Sequence, residues 1–250
     1  MKQMIKKIKQ LGLLAFSIIG IAGCNKDELT QKVISVQIKG YNVGNSELEV
    51  SIDTAVYDKA RTGPNKLIDF GKVYTYPSSK AQAFLKITDL VSAKEVYQHQ
   101  LDLGGNNFEQ FFPFVLIDGT ALEIKSPTAD PSTNKMAFYV HYPENNDLID
   151  VFMKNDAGQT VYIAKNVKPA TWAYADYLTT EGFKDVNKSY NWYFVKAGTI
   201  DQWAFNDDAY KSQFPTGTLF IPKNGEKGRV QTYFVTPASN QLDVVSLFKL

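Results

Sequence analysis

From Glu47 to Asp53 the chain alternates polar and aliphatic side chains, so Leu48, Val50 and Ile52 fall on one side. A helix would scatter these three around its axis. A strand has a period of two, lines them up on one face and leaves the other face to water. The signature recurs. Val33 to Ile38 is β-branched and partly alternating, and Ala81 to Ile87 and Val96 to Leu101 continue the pattern. Phe111 to Ile117 reads as a buried apolar strand, and Asp118-Gly119 turns it back into Ala121 to Ile124. Further strands are expected at Met136 to Tyr142, Leu148 to Lys154, Thr160 to Ala164 and Ser189 to Lys196, then at Thr218 to Ile221, Val230 to Thr236 and Leu242 to Leu250. Helical periodicity is scarce, with room for a turn or two at Phe205 to Phe214. Regular short strands with few helices indicate β-sandwich domains.

With 250 residues and a hydrophobic fraction of 44%, the chain can bury one large core or two small ones, and wholesale disorder is excluded. Lys125 to Lys135 holds two prolines and no large apolar residue, which marks a connection between domains. The expected layout is a segment 1–23, a tether 24–31, an N-terminal sandwich 32–125, a linker 126–134 and a C-terminal sandwich 135–250. There is an internal echo. Val36 to Tyr41, a polar turn and Leu48 to Val50 resemble Phe138 to Tyr142, a polar turn and Leu148 to Val151, as two tandem copies of one sandwich would. The fold class expected is therefore all-β, with two tandem β-sandwich domains of immunoglobulin- or transthyretin-like type.

The first 24 residues differ in kind. Lys2, Lys6, Lys7 and Lys9 precede the uncharged run Leu11 to Ala22, and small residues Ala22 and Gly23 lead to Cys24, the chain's one cysteine. A basic start, a short apolar segment and small residues are the marks of a secretory signal. The run is too short for the ~20 residues of a spanning helix. Ile21-Ala22-Gly23-Cys24 looks like a bacterial lipobox. That resemblance implies cleavage before Cys24, lipidation of its sulfur and acylation of the new amine. Several acyl chains, at roughly 0.8 kcal/mol per buried methylene, would hold the protein to a membrane essentially permanently. Lys26-Asp27-Glu28 after the cysteine resembles the charged export signal of surface lipoproteins in Bacteroidota-type bacteria. It implies an outer-membrane protein displayed at the cell surface. Removing residues 1–23 would leave 23 basic against 26 acidic residues, so neither nucleic acid nor an anionic surface is an expected partner.

Signals of chemistry are sparse. One cysteine excludes a disulfide framework and a thiolate-rich zinc site. His99 and His141, the only two histidines, lie inside expected strands and read as structural residues. Gly104-Gly105 lacks the Lys-Ser/Thr of a phosphate loop. Asp207-Asp208 and Asn145-Asn146-Asp147 carry oxygen ligands but do not match the calcium loop, and they read as solvated turns. No enzyme, no cofactor and no metal is expected.

The aromatics say more. All three tryptophans, Trp172, Trp192 and Trp203, fall in the second half, among Tyr174, Tyr177, Tyr190, Tyr193, Phe205 and Tyr210. Trp192 to Val195 reads as strand core. Trp172 to Tyr177 and Gln202 to Asp208 mix aromatic with polar residues. Carried on loops, Trp172, Tyr174, Tyr177, Trp203 and Asn206 would make a candidate ligand site, with rings stacking on sugars and polar groups holding hydroxyls. The second opening, Leu148 to Val151 with the turn at Ala197-Gly198-Thr199, resembles short sandwich repeats of bacterial envelope proteins. The layout is similar to accessory lipoproteins of bacterial glycan-uptake systems. It implies a membrane-anchored protein, held through the lipid on Cys24, that binds a glycan or protein ligand. The alternative is an adhesin or pilus-type subunit that assembles by strand donation, with Leu242 to Leu250 as donor.

Overall fold

The computed structural model describes residues 30–185, 187, 188, 190–217 and 220–249. The expected signal segment 1–23 and Cys24 lie outside the described residues. By internal contacts the chain divides into a small unit, Met1–Val33 with Thr75–Lys80, and a large one, Ile34–Tyr74 with Ala81–Leu250. In the small unit the Ser78 amide donates to the Thr30 carbonyl.

The fold is all-β, two sandwiches in tandem, each made of two four-stranded sheets. The first sheet contains β1 (Gln31–Val43), β4 (Lys66–Pro77), β7 (Glu109–Ile117) and β8 (Thr120–Ala121), in the order β4-β1-β7-β8. The second contains β2 (Leu48–Ile52), β3 (Ala55–Val56), β5 (Phe84–Asp89) and β6 (Lys94–Gln100), in the order β3-β2-β5-β6. The third contains β9 (Asn134–Val140), β12 (Trp172–Tyr177), β15 (Val230–Pro237) and β16 (Leu242–Ser246), in the order β12-β9-β15-β16. The fourth contains β10 (Ile149–Lys154), β11 (Thr160–Val167), β13 (Asn191–Lys196) and β14 (Gln213–Pro215), in the order β11-β10-β13-β14. Among the described residues the one helical element is a 3-10 turn at Asp58–Ala60.

The second sandwich repeats the first strand for strand, each strand number rising by eight. The parallel pair β1/β7 recurs as β9/β15, and the antiparallel pairs β2/β3, β2/β5, β5/β6 and β7/β8 recur as β10/β11, β10/β13, β13/β14 and β15/β16. The echo heard in the sequence paired β1 with β9 and β2 with β10, in agreement with this topology. Its two tyrosines, however, do not correspond. Tyr142 points into the core of the second sandwich, while Tyr41 belongs to a separate cluster on the opposite face of its sheet.

Several sequence expectations change. Trp172 to Tyr177 is strand β12 rather than a loop. Phe205 to Phe214 holds turns and the start of β14 instead of helix. Phe220 and Ile221 are not in a strand. The long β4 escaped notice because Leu67 and Val73 are apolar on its exposed side, which blurs the alternation set by buried Ile68 and Phe70. The last strand ends at Ser246 and pairs with β15 in its own sheet, which opposes a donor role for it.

The second sandwich closes on a core in which Phe138 and Tyr233 of one sheet meet Trp192 of the other, with ring centroids 5.0–5.5 Å apart. In the first sandwich Tyr97 of β6 packs on Phe114 of β7 at 5.1 Å. Pro113 is tolerated in β7 for a geometric reason. The Leu122 amide bonds the Val115 carbonyl, so by strand parity residue 113 faces the same edge, beyond the reach of β8, which pairs only with Leu116 and Ile117.

A further cluster joins the two sandwiches. Tyr41, Val43, Val115 and Ile117 of the first pack with Tyr139, Trp172, Phe234, Val245 and Leu247 of the second. Tyr41 lies 5.7 Å from Phe234, and the His141 ring stacks on the same phenylalanine at 6.2 Å. The connecting chain is tied down beside this cluster. The Trp172 indole N–H donates to the Glu123 carbonyl at 3.2 Å, the Tyr174 hydroxyl to the Lys125 carbonyl at 3.4 Å, and the Ser126 and Thr232 hydroxyls lie 2.9 Å apart.

Gly40 pairs with Phe114 so closely that a β-carbon would lie 1.5 Å from the Phe114 carbonyl oxygen. Backbone cannot yield as a flexible side chain does, so Gly40→Ala is expected to cost about 3 kcal/mol or more in chemical denaturation. Burial pulls the His141 imidazole below its ordinary 6.5, opposed by the weaker attraction of Asp118. A depressed folded pKa gives stability that is complete above the unfolded value and is lost as pH falls through the folded one. The melting temperature should therefore fall from pH 7.5 to 5.5 by more in the native protein than in His141→Gln, as read by circular dichroism.

Candidate functional site

Three strand edges converge beside the joint between the sandwiches. β4 ends one sheet, β16 a second and β14 a third, and a groove of about 680 Å³ lies among Leu67, Phe214, Leu242 and Val244 with Tyr210 at its rim. A second depression of about 730 Å³ adjoins it, shares Leu67, Asn240, Gln241 and Asp243 with it, and continues to Tyr41, Asn65 and Lys66.

Local sequence positions each wall. Asn206 and Asp207 both take positive φ (55° and 51°), a conformation that short polar side chains tolerate better than others. Asp208 then accepts the Tyr210 amide at 2.8 Å, and this turn presents the Tyr210 ring to solvent at 79% exposure. Phe214 stands opposite Trp192 in the β13/β14 register and leans on its ring at 6.3 Å. The β15–β16 hairpin closes through the Ala238 amide and the Gln241 carbonyl at 2.8 Å. Leu67 sits at the start of β4 and is 52% exposed.

The second depression is bounded by Tyr41, which holds the shared residue Asp243. The Tyr41 hydroxyl is 2.9 Å from the Asp243 carboxylate and 3.1 Å from the Asn65 carbonyl. With one proton it donates to one of them at a time. Burial, and then the charge and hydrogen bond of Asp243, push this hydroxyl far above its ordinary value, so it stays a neutral donor. Asp243 also accepts from the Gln241 side chain at 2.8 Å. Around this pair the lining is carboxamide and apolar, from Asn191, Gln213, Asn240, Gln241, Leu67 and Phe214. Such a surface suits recognition by contact and hydrogen bonding.

The five site residues expected from the sequence are distributed over four places. Trp172 is packed into the joint between the sandwiches against Tyr139 at 5.3 Å. Tyr174, on the same face of β12, is 55% exposed and holds the connecting chain. Tyr177 faces the opposite way into the core, where burial pushes its hydroxyl up, so it is no part of an exposed platform. Trp203 stacks on Tyr193 at 6.2 Å, which stacks on Phe152 at 5.2 Å on the outer face of the fourth sheet. That stack occupies one face of the Trp203 ring and both faces of Tyr193. Asn206 is exposed and exchanges hydrogen bonds with Tyr142, accepting from its hydroxyl at 2.7 Å and donating its amide at 3.2 Å.

The two oxygen-rich segments do meet. Asn145 and Asp207 line one depression of about 340 Å³ with Glu144 and Asn206, where Lys196 lies 3.6 Å from Asp207. Their neighbours serve turns, since the Asp147 amide donates to Asn145 at 3.0 Å. Among the described residues no three His, Cys, Asp or Glu side chains come together, and no helix is long and apolar enough to cross a membrane. His99 packs on Phe112 at 4.9 Å in the first sandwich, remote in sequence from His141.

What the sequence reading missed is the groove. Tyr210 stood in the aromatic inventory, yet nothing set it apart from residues bound for the core. Leu67 lies on β4, a strand the sequence did not disclose, and Asn240, Gln241 and Asp243 lie at the β15–β16 hairpin and the start of its second strand.

No family model matches the chain, and no curated protein does. Among solved structures, the Bacillus anthracis TIE protein aligns over 82% of this chain at 12% identity with a TM-score of 0.21, and this chain spans 34% of that protein's length. A candidate adhesin from Bacteroides ovatus aligns over 88% of this chain and 94% of its own at 10% identity with a TM-score of 0.19. Likenesses at such scores carry no argument about function.

Tyr41→Phe would remove the donor to Asp243 and leave the ring. It is expected to lower stability by about 1–2 kcal/mol in urea titration, with Asp243→Asn, which can still accept from Tyr41, losing less.

Proposed function

We propose that the chain is a lipid-anchored protein of the bacterial outer membrane, displayed at the cell surface, which binds an extracellular ligand non-covalently in the groove beside the two sandwiches. The observation that carries this reading is the groove itself. It joins an exposed Tyr210 ring and apolar Leu67 and Phe214 to four carboxamides and to Asp243, which Tyr41 of the adjoining depression holds. A ring with few rotatable bonds gives large contact area at small entropic cost, and carboxamides both donate and accept. The anchor rests on the lysines, the apolar run and Ile21-Ala22-Gly23-Cys24. The self-stacked Trp203 and the connector-bound Trp172 have structural work, which moves the expected contacts from the tryptophans to the groove.

Two measurements test the two halves of this reading. Full-length protein from a Gram-negative host should show, by mass spectrometry, diacylglyceryl and acyl groups on Cys24, and Cys24→Ala should move to the soluble fraction. On an immobilised glycan array and a random nonapeptide display library, hits of the native protein should weaken at least tenfold with Tyr210→Ala and hold with Trp203→Ala. An unmodified N-terminus sinks the anchor, and hits indifferent to Tyr210 sink the groove.

A further inference from the structure

Strand β16 has one edge in use and one open. The Leu247 amide donates to the Thr232 carbonyl and the Ala238 amide to the Gln241 carbonyl. With the register Tyr233 opposite Ser246 and Val235 opposite Val244, these bonds identify 232/247 and 238/241 as hydrogen-bonded pairs. Antiparallel strands alternate such pairs with unbonded ones. Asp243 and Val245 are therefore spent on β15, and the N–H and C=O groups of Leu242, Val244 and Ser246 point to the other edge. β16 is the last strand of its sheet, and among the described residues no backbone or side-chain partner meets Leu242 or Val244 there. Both residues line the 680 Å³ groove.

Five of the other seven sheet edges are guarded. β4 carries Lys66 and Lys72, β6 carries Lys94 and Glu95, β3 and β8 have two residues each, and β14 has three and ends on Pro215. Charges, shortness and proline are the usual protections against strand pairing. β16 has no lysine and no proline, and it is five residues long. Its one charge, Asp243, is on the spent parity and is held by Tyr41 and Gln241. The strand also continues an interface already formed, since Val245 and Leu247 belong to the cluster joining the sandwiches.

We infer that the groove's ligand is an extended polypeptide segment of a partner protein, which adds to the third sheet as a strand beside β16. This rests on the groove being the binding site, and it names the ligand class. Alternating donors and acceptors repeat roughly every 6.8 Å along the edge, a spacing that an extended peptide matches and a glycan does not. Leu67, Tyr210 and Phe214 stand where alternate side chains of that segment would lodge.

Random nonapeptides displayed in a library, and the glycan array, are the probes for full-length protein solubilised in detergent. The library should yield binders that lose at least tenfold in affinity with Val244→Pro, which deletes an edge N–H not used by β15. In case Val244→Pro disturbs folding, N-methylation of successive amides of a selected peptide should alternate between large and small losses on the native protein. A hit set confined to glycans and sensitive to Tyr210→Ala keeps the groove and overturns the strand. Peptides indifferent to both Val244→Pro and alternate N-methylation also overturn it. No Tyr210-sensitive hit with either probe removes the groove reading as well.

Discussion

Phe234 is the point on which the molecule's organisation turns. It lies on β15, a strand that buries almost every residue because both of its faces are covered. Tyr233 and Val235 fill the second sandwich, while Phe234 on the opposite face meets Tyr41, Tyr139 and His141. A sheet with one wet face would leave that phenylalanine in water. Here the first sandwich covers it, so the two sandwiches share apolar surface and the connecting chain is pinned beside them. At roughly 25 cal/mol per Å² of apolar area withdrawn from water, a shared cluster of aromatic and aliphatic side chains outweighs the few hydrogen bonds along the connector.

The groove follows from that packing. Tyr41 can reach Asp243 only because the first sheet faces the third. Leu67 can face Tyr210 and Leu242 across a cavity only because the edge of β4 is brought near the edges of β14 and β16. None of these walls belongs to a dedicated binding loop. They are ordinary strand ends, one hairpin and the turn before β14, whose chemistry becomes a site when three sheet edges meet.

The strand pattern was readable because period-two alternation is a local property. Leu48, Val50 and Ile52 declare their face without help from the rest of the chain, and the core list agrees. Even the duplication was audible in the openings of the two sandwiches. Where both faces are buried or both carry apolar residues, alternation vanishes. β12 therefore read as a loop, and β4 was passed over. The candidate site residues were ambiguous for a related reason. Trp172, Tyr177 and Trp203 look equally fit for a core or for a platform. Which face of a sheet is covered, and by what, is not written next to them. Tyr210 was indistinguishable from the aromatics around it until the Asp208 turn set it in solvent.

The sequence by itself determined that this chain is all-β and built as two tandem sandwiches. These are matters of composition and of spacing over a few residues. Only the tertiary structure decided that the sandwiches share a core, that the tryptophans are engaged in packing, and that one sheet edge is left open toward a groove. Contacts of that kind join residues 41 and 243, or 67 and 242, and depend on the strand order and register of whole sheets. No local pattern encodes a distance across two hundred residues.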